Sequence, residues 1–258
     1  MKKINYLSNK ELLSEIHKSK KTYCSYVLEE HANCDHIVDN VKEVTDELIE
    51  QVRLAKSKPW GKPPIPLTSL PPESIVIRVM TKDHIPPDTT GKARKDKSGK
   101  GPYARTNFPP FKHYIRRNGE TIEVCRSHWV GGFSNGHFSA DHGKMTNQLA
   151  KCFVLLSERY SNRGNWRGYS YVDEMKANAL VHLCKVGLEF NEHKSQNPFA
   201  FYTTIVTNCF KRVANEEKKN HLIRDELIMM SGGAGSLGSR SDSDASDKDY
   251  YATAPRGQ

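Results

Sequence analysis

Residues 165–227 read NWRGYSYVDEMKANALVHLCKVGLEFNEHKSQNPFAFYTTIVTNCFKRVANEEKKNHLIRDEL and carry the clearest helix punctuation in the chain. Asn197 stands directly before Pro198, an N-cap followed by a residue whose missing N–H costs nothing at the first helical position. From there Tyr202, Ile205, Val206, Cys209, Phe210 and Val213 recur at helical spacing as an inward stripe, and the pattern predicts a helix to about Lys219. Thr203, Thr204, Thr207, Asn208, Lys211, Arg212 and Asn215 fall on or near the exposed side. Upstream, Val172, Met175, Ala179, Leu183 and Val186 predict a second helix over Tyr171 to Glu189, with Asp173 and Glu174 in the first turn, where the helix dipole favours acids.

Working outward, Met145, Leu149, Cys152, Phe153, Leu156 and Tyr160 share one face of a helix ending at Ser161-Asn162, and His221 to Met230 reads as a shorter helical segment. Residues 7–57 also read as helical. Ser8 and Glu11 form a capping box, and Val41, Val44, Leu48, Val52 and Ala55 keep a helical period from Ile37 to Lys56 before Pro59 stops it. From Lys58 to about Thr146 the composition turns to Pro, Gly, Lys and scattered aromatics; repeated Pro-Pro pairs forbid long helices, leaving Ser74–Met80 and Thr121–Cys125 as strands. The division is therefore 1–57 helical, 58–144 a basic Pro/Gly-rich insertion, 145–230 a helical domain and 231–258 a disordered Ser/Gly/Asp-rich tail. The fold class expected is mainly α, with a few short strands in the insertion.

The 258 residues hold 39 Lys and Arg against 30 Asp and Glu, a net charge of +9, and residues 58–144 contribute +8 of it. Lys92, Arg94, Lys95, Lys97 and Lys100 form a basic run opposed only by Asp96. Such a balance suits a polyanionic partner. Mean hydropathy is −0.69 and the apolar runs are four or five residues long, so neither a membrane span nor a secretory signal is expected. The six widely spaced cysteines then read as reduced cytosolic thiols.

No phosphate-binding loop, nucleotide fingerprint, nucleophile elbow or His-Glu-x-x-His motif occurs, and no enzymatic activity or cofactor is expected. Cys125 and His128 have the gap of a zinc ligand pair, with His137, His142 and His113 as further candidates, which keeps a zinc-dependent nucleic-acid enzyme as an alternative. Residues 160–171 interleave Tyr160, Trp166, Tyr169 and Tyr171 with Arg163 and Arg167, residue types that stack bases and neutralise phosphates. Phe199, Phe201 and Tyr202 open the next helix. A sequence-independent structural DNA binder is the other alternative.

The stretch Asn165 to Leu227, with the helix before it, resembles region 2 of sigma factors, and more closely the late-transcription sigma factors of T4-related bacteriophages. The resemblance implies a sigma region 2-like helical domain that binds host core RNA polymerase and directs initiation at an AT-rich promoter element of the −10 type, in the cytoplasm of the infected bacterium. It assigns polymerase contact to Asp173, Glu174, Asn178, His182 and Lys185. It assigns promoter DNA to Arg163, Trp166, Arg167, Phe199, Phe201, Tyr202, Thr204, Thr207, Asn208, Lys211 and Arg212. A phage coactivator and the sliding clamp are further partners the family implies. The tail ending Tyr250-Tyr251-Ala252-Thr253-Ala254-Pro255 lacks the family's short hydrophobic clamp motif, and residues 58–143 have no counterpart in the T4 protein.

Overall fold

The computed structural model describes residues 8–58, 63–88 and 103–233. The basic run of residues 92–100 and nearly all of the tail lie outside them. The chain begins with α1 (Asn9–Lys21), started by the expected capping box: Ser8 Oγ accepts the Glu11 N–H at 3.2 Å, and the Ser8 N–H reaches back to the Glu11 carboxylate. Residues 22–45 are not helical. They form β1 (Cys24–Tyr26), β2 (His36–Val38) and two single 3₁₀ turns. The helix read from Ile37 starts only at Asp46, giving α2 (Asp46–Ser57), because Thr45 caps it and the preceding valines serve the sheet and the turn.

β3 (Ile77–Met80), β4 (Phe111–Arg117) and β5 (Glu120–Ser127) complete a five-stranded sheet of order β1-β5-β4-β3-β2, in which only the β2–β3 pair is parallel. β4 and β5 close on Asn118-Gly119, both at positive φ, the geometry a two-residue hairpin turn requires. The small hairpin of β6 (Trp129–Val130) and β7 (His137–Phe138) covers the β1 end, where Arg126 stacks on Trp129 at 4.4 Å. The helices α3 (Asn147–Ser161), α4 (Val172–Val186) and α5 (Pro198–Met230) follow. α5 is one continuous helix through Asn220, with Asn197 capping the Ala200 N–H at 3.0 Å.

The fold is thus mixed α/β, a helical unit bearing a strand-containing layer, rather than mainly α. Alternation along β3 sends Ile77 and Val79 toward α2, where they pack with Val38, Val44 and Ile49. On the opposite face Phe111 and Cys125 join the principal core with Leu12, Phe153, Leu183 and Phe210 from the helices. The boundaries at 57/58 and 144/145 therefore do not separate independent cores. Gly187 ends α4 where a Cβ would meet the Phe153 ring at 2.6 Å, and its carbonyl accepts the buried Tyr202 hydroxyl at 2.7 Å. Among the described residues no helix is long and apolar enough to cross a membrane.

Helices and sheet meet at a buried ionic junction. Lys20 from α1 donates to the Phe190 carbonyl at 2.7 Å and to both Glu192 oxygens at 2.9 Å. Arg78 from β3 lies 3.7 Å from the same carboxylate and 3.9 Å over the Phe111 ring. Its Nε donates to His113 Nε2 at 3.0 Å, while His113 Nδ1 lies 2.7 Å from the His31 carbonyl. His113 is therefore the neutral Nδ1–H tautomer, held well below its ordinary pKa by burial and by Arg78. Burial brings Lys20 down to about 8 against the pull of Glu192. Burial would raise Glu192, but Lys20 and Arg78 outweigh it and hold the carboxyl below the usual range.

Burial also lowers His17 to about 4, His84 to about 4 and His128 to about 3. A histidine whose folded pKa is depressed contributes stability above its unfolded value near 6.5, and that stability is lost as pH falls toward the folded value. Denaturant unfolding followed from pH 8 down to 4 is accordingly expected to show a small loss of stability from 8 to 7, as folded Lys20 takes up its proton, and a steep fall below 6, with uptake of about three to four protons on unfolding. A shallow one-proton limb would mean that these imidazoles are solvated.

Candidate nucleic-acid interface

The start of α1, the end of α3 and the start of α5 converge. Asn9 Oδ1 accepts the Phe199 N–H at 3.1 Å, fastening the first turn of α5 to that of α1. Thr146, the N-cap of α3, donates from Oγ1 to Glu15 at 3.0 Å and takes Ser19 Oγ on its N–H at 3.0 Å, which sets α3 against the other side of α1. Between them lies a groove of about 290 Å³ lined by Ser8, Asn9, Leu156, Arg159, Tyr160, Arg163, Phe199 and Thr203.

Chemically the groove pairs cations with aromatic faces. The Arg163 guanidinium lies 4.5 Å over the Tyr160 ring. Tyr160 is fixed from behind by an edge contact to Phe210 at 5.1 Å and by its hydroxyl, 2.8 Å from Thr207 Oγ1. Phe199 is 37% exposed, so its ring offers a face at the rim. Guanidinium groups neutralise phosphate and an exposed ring such as Phe199 can stack an unstacked base, whereas Tyr160, 6% exposed, is a core ring that backs the groove and carries Arg163. On the outer face of α5, Thr204, Asn208, Lys211 and Arg212 are exposed, and the last three line a shallow 400 Å³ groove with Asn215, Glu216 and Lys219.

Other expected contacts fall elsewhere. Tyr202 is fully buried, with its phenol pushed up by burial, because the core stripe of α5 begins with it; it has no face for DNA. Phe201 is half-buried against Phe190 at 5.5 Å. Trp166 is half-buried, edge-on to Phe210 at 5.4 Å, while Arg167 is exposed beside Gly168, whose φ of +97° turns the loop. On α4, Asp173, Glu174 and Lys185 are exposed, Asn178 and His182 are half-buried, and Asp173 pairs with Lys176 at 2.6 Å. Asn178 accepts a hydrogen bond from Arg212, so the residues expected to meet polymerase and those expected to meet DNA touch along the α4–α5 seam.

The zinc candidates do not assemble. Cys125 is buried on the sheet face toward the helices, its thiol pushed up by the neighbouring Cys24 thiol and by burial. His128 is packed in the core, its ring tilted against Phe108 at 4.1 Å, His137 is exposed on β7, and exposed His142 has Nδ1 3.0 Å from the Ser139 carbonyl. Among the described residues no group of three or more His, Cys, Asp or Glu is arranged to hold a metal ion. Sequence reasoning missed Arg159 as a member of the groove; the available signal was its position beside Tyr160 in the last turn of the helix that leads into Arg163.

No family model, no curated protein and no solved structure matches the chain.

The two aromatic environments give opposite expectations. Phe199→Ala should leave the melting temperature unchanged and weaken binding of a single-stranded oligonucleotide by ~1–3 kcal/mol, the value of one stacked base. Trp166→Ala should lower the melting temperature by several degrees through lost packing on Phe210 and Tyr160. Fluorescence anisotropy and thermal melts on both variants separate them; a destabilised Phe199 variant with unaltered affinity would assign that ring to the core.

Proposed function

We propose that this chain is a transcription initiation factor of the sigma type, acting in late phage transcription without enzymatic chemistry of its own. The observation that carries the reading is the groove in which Arg159 and Arg163 stand beside the Tyr160 and Phe199 rings. A cationic, aromatic recess of this size suits one unstacked nucleotide better than a duplex edge. The exposed Thr204, Asn208, Lys211 and Arg212 of α5 continue it with side chains able to meet base edges and phosphates.

In this reading core RNA polymerase binds α4 through Asp173, Glu174, Asn178, His182 and Lys185, in the cytoplasm of the infected bacterium. The Asn178–Arg212 contact then keeps the polymerase-facing and DNA-facing helices in fixed register. AT-rich steps unstack cheaply, so one base captured on Phe199 at ~1–3 kcal/mol, together with the phosphate contacts, offsets part of the cost of a nucleated bubble.

Run-off transcription with core polymerase, with and without the protein, tests the reading on a template bearing a TATAAATA-type element and on one premelted across the start. Discrete start-specific transcripts are expected only when the protein is present. Phe199→Ala should impair the duplex template and be largely rescued on the premelted one. Equal affinity for duplex DNA with and without polymerase, and no stimulated transcript, would leave a structural DNA binder in its place.

A further inference from the structure

Two thiols meet across the β1–β5 pair. The register sets Cys24 opposite Ser127 and Tyr26 opposite Cys125, so Cys24 and Cys125 are diagonal neighbours on one face of the sheet. At the next pair along, the Val27 N–H donates to the Val124 carbonyl at 3.0 Å. Ladder bonds fall on alternate pairs, so both cysteines occupy non-hydrogen-bonded positions, where side chains of neighbouring strands come closest. Both pack into the principal core, and the Cys125 thiol is in hydrogen-bond contact with that of Cys24. Their access to water differs. β1 is an edge strand and Cys24 is half-buried, whereas Cys125 is fully buried behind it. Cys24 also donates from Sγ to the Lys20 carbonyl at 3.3 Å, at the end of α1.

We propose that Cys24 and Cys125 form a reversible thiol–disulfide switch, in which Cys24 reacts with hydrogen peroxide and Cys125 closes the bond. In the first step Cys24 sulfur attacks one peroxide oxygen: the S–O bond forms, the O–O bond breaks, and the thiol proton leaves with the departing hydroxyl as water. Cys125 sulfur then displaces the hydroxyl from Cys24. The S–S bond forms, the S–O bond breaks, and the Cys125 proton leaves with that hydroxyl as a second water, so two thiols and one peroxide give a disulfide and two waters. Diagonal neighbours are ordinarily spaced more widely than a relaxed disulfide requires, so the bond is strained and readily reduced, as a switch must be. Closing it also takes away the S–H that bonds the Lys20 carbonyl, at the end of α1 where Lys20 enters the junction with Glu192. Oxidation therefore acts on the joint between helices and sheet, whatever the groove binds.

Brief treatment of the folded full chain with hydrogen peroxide gives the test, in a Cys184→Ser background that removes the exposed thiol. Thiol titration of the denatured product is expected to show two thiols lost and both recovered with dithiothreitol, and digestion should yield a linked Cys24–Cys125 peptide pair. Hydrogen exchange in the last turn of α1 should quicken on oxidation and slow again on reduction. Cys24→Ser should keep all its thiols through the same treatment, and Cys125→Ala should stop at a dimedone-reactive sulfenic acid on Cys24. Cys24→Ser, at a half-buried position, keeps the test readable should the buried Cys125→Ala variant fail to fold. A linkage through Cys34, thiols lost equally from Cys24→Ser, reaction only after unfolding, or unaltered exchange in α1 would each overturn the proposal.

Discussion

Glu192 sits where three parts of the chain must agree. Its carboxylate receives Lys20 from the first helix and faces Arg78 from the sheet, and it lies on the turn between the last two helices. Each cation is nearly inaccessible to water, so desolvation opposes the arrangement, and net stabilisation by a buried pair is small or negative relative to an apolar replacement. Breaking one is another matter, since it strands an uncompensated charge at a cost of about 3–5 kcal/mol. The junction therefore acts chiefly by excluding arrangements in which the three segments do not meet. The second positive charge is accommodated by the Phe190 carbonyl and by the Phe108 and Phe111 rings under the two cations. His113, kept neutral, accepts from Arg78 without adding charge.

This placement reaches the candidate site through α1. Lys20 anchors the helix at its C-terminal end, Ser19 and Glu15 hold the N-cap of α3, and Asn9 at the other end holds the first turn of α5. The groove between Tyr160 and Phe199 exists because α1 keeps those two helices at a fixed separation. A layer that contributes no residue to the groove thus governs its shape, and the strands of residues 77–127 help to position Arg159 and Arg163.

The elements that were legible in the sequence are those whose signals are local. Ser8 with Glu11, and Asn197 with Pro198, mark helix starts within four residues, and the apolar periods of α3 and α4 run long enough to be unambiguous. Of the strands, Ser74–Met80 and Thr121–Cys125 were read from the sequence and overlap β3 and β5, whereas the three-residue strands and β4 were not. Ile37, Val38, Val41 and Val44 satisfy a helical period by accident, while two of them belong to a three-residue strand defined only by its partner forty residues away. β4 alternates cleanly as Phe111, His113 and Ile115 inward, but the inward position at its centre is a histidine, which polarity assigns to the surface. The Asn118-Gly119 pair is a hairpin signal that the sequence reading did not use. Lys20 and Arg78 were equally hidden, because a buried charge is predictable only from its partner, and Glu192 lies 172 residues from Lys20. Of the site, Arg163 and Phe199 could be read from residue type and position, whereas Tyr202 shows that an aromatic beside a helix start is assigned to core or surface by packing alone.

The central claim is that sheet and helices form one cooperative unit fastened at Glu192. Native-state hydrogen exchange measures it most directly, by comparing the opening free energies of amides in β4 and α3 in the unaltered chain and in the Glu192→Gln variant. The account predicts that both elements open together at the global unfolding free energy and that the substitution lowers both by the same amount. Contradiction would be a sheet that opens in a separate, lower-energy step while α3 stays protected, or a substitution that weakens one element and leaves the other untouched.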